Sequence, residues 1–163
     1  MTRRLVSVSN RVTIPRKQAA PGGLAVGVLA AMKARGGLWF GWSGELVDDA
    51  VPEVQVHRRN GGSYAVTDFP RKLFESYYFG YSNAVLWPLF HYFVETFHYD
   101  EEAHEAYLEA NRFLADRLLP LLEPDDLVWV HDYHLVPMAR ILRERGARQP
   151  LGFFLHIPFP HYE

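Results

Sequence analysis

The chain has 163 residues, 48% apolar, 22% charged and 15% aromatic, enough to fill one globular domain and too few for two. A formal charge of -2 removes any general electrostatic case for nucleic acid or an anionic membrane as partner, and the lack of cysteine excludes disulfides and thiolate metal sites. No apolar run nears the roughly 18–20 residues that cross a bilayer, and the basic start MTRRLVSVSNR lacks the long apolar core of a leader. A soluble, cytoplasmic protein is expected.

In chain order, Arg4–Ser9 predicts a first strand ending in Asn10-Arg11, and 12–21, with two prolines and no hydrophobic period, predicts a loop. Gly22-Gly23 opens a helix with Leu24, Val28, Ala31 and Met32 on one face, and Gly36-Gly37 closes it. Leu38–Ser43 predicts a second strand, and the acidic stretch Glu45–Pro52 predicts a turn. Pro52–His57 and Ser63–Thr67 flank Asn60-Gly61-Gly62, the signature of a small antiparallel hairpin. Arg71–Phe79 predicts a short helix, after which the aromatic run Tyr77–Tyr92 shows no clean period, broken at Ser82-Asn83 and Trp87-Pro88.

Glu101–Leu121 carries Tyr107, Ala110, Leu114, Leu118 and Leu121 on one face, a long helix stopped by Pro124. The last stretch predicts strand, helix, strand. Leu127–His131 and Leu151–His156 are apolar runs that look buried, and between them Leu135, Met138, Ile141 and Leu142 recur at helical spacing before Gly146. Such a unit implies a right-handed crossover and a parallel pair, so the fold class is α/β with a mainly parallel sheet. Ligands of open α/β sheets bind beyond the carboxyl ends of the strands, where this chain places HDYH (His131–His134) and HIPFP (His156–Pro160). The sequence stops seven residues after the last strand, on a Pro-rich turn, as expected of a piece of a longer protein.

Each cluster has a functional reading and a bland one. Arg11 with Gly22-Gly23 at a helix start suits an anion, through free N–H groups and a guanidinium fork, or is a plain turn and cap. The pattern lacks G-x-G-x-x-G, which disfavours a dinucleotide-binding oxidoreductase. The aromatic run is core, or a carbohydrate platform of Tyr and Trp rings. His131, Asp132 and His134, with His156 or His161, have the donor types of a zinc site but not the helical i, i+4 spacing. Hydrogen bonding to a polyhydroxyl ligand is the better use, and the bland alternative has His131 and His134 satisfying nearby backbone groups. No nucleophile elbow, P-loop or H-E-x-x-H is present.

Together, SNR (Ser9–Arg11), GGLAVG (Gly22–Gly27), GGLWFGWSG (Gly36–Gly44), the aromatic run, VWVHDYHL (Val128–Leu135) and GFFLHIPFP (Gly152–Pro160) resemble the trehalose-6-phosphate synthase family, in its order and over nearly the whole chain. The loop holding Arg16-Lys17 and the histidine at 161 depart from the family pattern. The resemblance implies a Rossmann-like sheet with helices on both faces, the N-terminal half of a GT-B-type retaining glycosyltransferase. Residues 1–163 would be its acceptor-side domain, without the C-terminal nucleotide-sugar domain.

The implied reaction moves glucose from UDP-glucose to glucose 6-phosphate, giving trehalose 6-phosphate and UDP, with no cofactor and no catalytic metal. Attack from the face that UDP leaves would be helped by positioning and by charge around the departing phosphate. By motif match, Arg11 would grip the acceptor phosphate beside Tyr78 and Trp87, and Trp42 would line the acceptor pocket. Gly23 would meet the donor phosphate, Asp132 would bond sugar hydroxyls of both substrates, and His156 would hold the donor glucose. Asp132 and His156 are the expected catalytic pair. The fragment alone is expected to be inactive, and an exposed face rich in Tyr and Trp invites self-association. The alternative is a non-catalytic sugar-phosphate-binding or regulatory module.

Overall fold

In the computed structural model, residues 3–14, 23–48, 51–59 and 61–161 are described. Six strands form one sheet: β1 (Leu5–Arg11), β2 (Gly37–Val47), β3 (Val54–Arg59), β4 (Gly62–Pro70), β5 (Leu127–His131) and β6 (Leu151–Phe154). Their order is β3-β4-β2-β1-β5-β6, and every pair is parallel except β3 with β4. From β1 the chain returns to β2 on one side, whereas from β5 it returns to β6 on the other. The carboxyl ends of β1 and β5 therefore flank a topological switch point, where the two following connections part and leave a crevice.

Helices cover both faces. On one, α1 (Gly23–Arg35) sets Val28 and Met32 against Trp39, Tyr64 and Val66. On the other, α4 (Glu101–Leu118) and α5 (Met138–Glu144) bury Leu114, Leu118, Met138 and Leu142 on Val6, Val8, Val128 and Val130. The alternation of strand side chains decides this division: odd and even residues of β2 face opposite layers. Asp100 caps α4, its Oδ1 accepting from the Ala103 N–H at 2.7 Å. Gly36 (φ +67°) ends α1 in the left-handed conformation that glycine adopts without penalty.

Several expectations are corrected. β2 runs on to Val47 instead of turning at Glu45, and β4 is an inner strand, paired with β2 as well as with its hairpin partner β3. The long helix is α-helical only to Leu118, and Leu119–Leu121 tightens into a 3-10 turn around Pro120. β6 stops at Phe154, two residues short of His156, and Gly152, Phe153 and Phe154 are exposed because β6 is the edge strand. Beside it lies an apolar cavity of about 410 Å3 lined by Leu5, Ala31, Leu127, Trp129 and Gly152.

The largest correction is the aromatic run, which is helical from Tyr77 to Phe90. After α2 (Arg71–Phe74) it winds as a π-helix from Glu75 to Leu86 and passes into α3 (Trp87–Phe90). The Trp87 N–H bonds the Ser82 carbonyl, five residues back. Wider winding spaces same-face residues beyond the 3.6 period, which is why no period was legible. Its inner face (Tyr77, Ser82, Val85) is core, and Phe79 on the outside is exposed. The expectations on Arg16, Lys17, Gly22, Asn60, Tyr162 and Glu163 fall outside the described residues.

Candidate active site at the carboxyl edge of the sheet

At the β1 end, backbone and side chain cooperate to present Arg11. The β1–β2 register shifts between Ser9 and Arg11, bringing Arg11 opposite Trp42. The buried Trp39 indole N–H donates to Ser9 Oγ at 2.8 Å, and that hydroxyl donates to the Arg11 carbonyl at 2.8 Å. The exposed Arg11 guanidinium lies over the Trp42 ring at 5.5 Å, a cation–π approach of about 0.5–1 kcal/mol at an exposed site. Glycine at 44 makes room for it: a Cβ there would meet the Arg11 guanidinium at 2.9 Å.

From Trp42 a row of rings runs down the edge. Trp42 packs on Phe74 (centroids 4.3 Å apart), Phe74 stacks on Tyr78 (4.9 Å, 13°), and Tyr78 stacks on His134 (5.3 Å, 8°). The Trp42 indole N–H is tied to the Glu45 carbonyl at 2.7 Å, fixing the ring. The upper end of the row is half open to solvent, and His134 at its foot is buried, with neither ring nitrogen bonded to any of the described residues. Burial pushes the His134 pKa down to about 4, so the ring is neutral.

At the β5–β6 end the device is hydrogen bonding. The Asp132 N–H extends the ladder to the Phe154 carbonyl at 2.8 Å. Its Oδ1 accepts the N–H groups of Tyr133 (3.0 Å) and His156 (3.3 Å), fastening the loop after β6 to the end of β5. This geometry holds Asp132 at φ 75°, ψ 165°, a region that almost only glycine visits, and such strain concentrates at functional sites. His131 Nδ1 and His156 Nε2 are 3.0 Å apart. Burial, and then the neighbouring His156, bring the His131 pKa down to about 4.

The two devices meet through a buried polar layer. Tyr77 donates to Asn10 Oδ1 (2.6 Å), Tyr133 to Asn83 Oδ1 (2.8 Å) and Tyr107 to the Tyr133 carbonyl (2.7 Å). Burial raises the pKa of all three phenols, keeping them neutral donors. Arg11, Trp42 and Tyr78 are thus brought together, as are Asp132 and His156. Gly23 opens α1 directly after the loop from β1, which places that helix start on the same edge. Trp87 stands apart from the row, stacked on His91 (4.1 Å) and Phe93 (6.0 Å) beyond the π-helix.

One bland reading is overturned. Among the described residues, neither His131 nor His134 satisfies backbone groups through its ring. Phe74, which links Trp42 to Tyr78, was not among the expected site residues, and the four-residue spacing of Phe74 and Tyr78 was the available signal for it; Asn83, expected only as a break in the aromatic run, holds the Tyr133 hydroxyl. Among the described residues no three His, Asp or Glu side chains are grouped to hold a metal ion, and no helix is long and apolar enough to cross a membrane.

Comparison with known families decides the assignment: the model of glycosyltransferase family 20 matches residues 3–163. The chain belongs to glycosyltransferase family 20. It is 55% identical over 158 residues to the trehalose-6-phosphate synthase of Klebsiella pneumoniae, covering 96% of this chain and 33% of that protein. Among solved structures it resembles the UDP-forming alpha,alpha-trehalose-phosphate synthase of Burkholderia vietnamiensis (TM-score 0.91, 49% identity, 98% of this chain and 35% of that one). It also resembles the UDP-forming alpha,alpha-trehalose-phosphate synthase of Burkholderia xenovorans solved in complex with glucose-6-phosphate (TM-score 0.89, 48% identity, 96% and 34%). The chain therefore spans about a third of the length of the family relatives it matches, and the sheet observed here is the α/β, GT-B-type architecture of those neighbours.

Proposed function

We propose that this chain is the N-terminal, acceptor-side domain of a UDP-forming trehalose-6-phosphate synthase. The parent protein would transfer glucose from UDP-glucose to glucose 6-phosphate with retention of configuration. The observation that carries the reading is the exposed Arg11 guanidinium braced on Trp42 at the switch point, in a chain 55% identical to a named synthase. A guanidinium there offers paired donors to a phosphate, and the half-open rings of Trp42 and Tyr78 offer apolar faces to a hexose.

Within this reading Arg11 holds the acceptor phosphate, Trp42 and Tyr78 flank the acceptor sugar, and Trp87 closes the pocket from the far end of the π-helix. Asp132 spends Oδ1 on two backbone N–H groups and turns its other oxygen to sugar hydroxyls. His156 contacts the donor glucose, and the backbone N–H of Gly23, at a helix start, faces the donor phosphate. The retaining step needs no carboxylate nucleophile: a phosphate oxygen of the departing UDP takes the proton of the attacking hydroxyl on the same face. Each of these residues acts by holding geometry, the largest lever available to such a loose transition state. No metal or other cofactor is invoked.

Calorimetric titration of the chain with glucose 6-phosphate, repeated with Arg11→Ala, tests this. Weak saturable binding that the substitution abolishes is the expected result, with no glucose transfer by the chain alone. Binding unchanged in Arg11→Ala would remove the phosphate from the end of β1.

A further inference from the structure

Two neutral imidazoles joined by one hydrogen bond share a single proton, so His131 and His156 cannot choose their tautomers independently. The environment of His131 settles the choice. The residue is 1% exposed, and its Nε2 is buried with no partner among the described residues. A proton on that Nε2 would leave a buried N–H unpaired, the rarer and costlier kind of orphan. With Nε2 bare, the His131 proton sits on Nδ1 and donates to His156 Nε2, and the proton of His156 must sit on its own Nδ1. We propose that His131 is a positioning residue that holds His156 as its Nδ1–H tautomer, so that the exposed ring presents an N–H donor at the carboxyl edge.

The backbone of His156 is already fastened by Asp132 Oδ1, which leaves the ring's orientation and protonation to His131. The low pKa of His131 keeps that ring neutral near pH 7, so its Nδ1–H donor is not altered by titration in ordinary use. A fixed N–H donor suits the oxygen of a sugar hydroxyl; the opposite tautomer would present a bare nitrogen there. The meaning for catalysis rests on the reading of His156 as a donor-glucose contact, but the tautomer itself is measurable without any ligand.

The test is long-range 1H–15N correlation on the histidine-labelled chain at pH 7, with His131→Phe and His131→Asn alongside. In the unsubstituted chain His156 should show a protonated Nδ1 and an unprotonated, downfield Nε2. His131→Phe should return His156 to the Nε2–H form that free histidine favours. His131→Asn, whose amide nitrogen can stand where Nδ1 stood, should keep the Nδ1–H form. An Nε2–H ring in the unsubstituted chain overturns the assignment, even if the phenylalanine variant fails to fold. So does a His156 signature that His131→Phe leaves unmoved. A chain with Nδ1–H His156 that fails to bind glucose 6-phosphate keeps this assignment and defeats the functional reading instead.

Discussion

At the β1–β2 end of the carboxyl edge, Arg11, Trp42, Phe74, Tyr78 and His134 pack in a continuous row, while at the β5–β6 end His131, Asp132 and His156 are joined by hydrogen bonds. The first assembly gets its order from packing, which tolerates small displacements and is lost when volume is lost. The second depends on direction and protonation and carries a strained backbone at Asp132. One edge thus has a side that should fail by cavity formation and a side that should fail by chemistry.

The largest effect is expected on the packed side. Phe74 is 3% exposed and is the ring between Trp42 and Tyr78, so Phe74→Ala should cost about 3–5 kcal/mol in urea unfolding. A loss below about 1 kcal/mol would mean that the row does not hold this edge together.

Acidification comes next. His131 and His134 are held neutral with pKa values of about 4, below the ordinary 6.5, so the unfolded chain binds protons that the folded one refuses. Stability should be full above about pH 6.5 and fall as pH drops toward 4, by about 2–3 kcal/mol for His134 alone. His134→Phe keeps a stacking ring and should remove that share of the slope; an unchanged slope would place the titrating group elsewhere.

On the hydrogen-bonded side, Asp132→Ala removes the clamp and leaves an alanine where φ is +75°, at a cost of about 2 kcal/mol. Asp132→Gly loses the same bonds but relaxes the backbone, so it should be the more stable of the two. Equal stabilities would show that the strain is not real. The smallest effect concerns Gly44. Gly44→Ala, at φ +103° and against the Arg11 guanidinium, should cost about 1 kcal/mol and weaken glucose 6-phosphate binding severalfold.

Some of this was legible and some was not, for identifiable reasons. The 3.6 period of Tyr107, Ala110, Leu114 and Leu118 announced α4, and the apolar runs at 127 and 151 announced a parallel pair. The aromatic run was opaque because the π-helix breaks the period by which helices are recognised. β6 looked buried because an apolar run does not say whether a strand has one neighbour or two.

By itself the sequence determined the α/β class and, through its motifs, the family, and it nominated the carboxyl edge as the candidate site, because periodicity and motif order are properties of a line of residues. Only the tertiary structure decided that β1 and β5 flank the switch point, that Phe74 completes the row, and that His131 reaches His156. Those facts depend on which distant segments become neighbours, and strand order and winding set that.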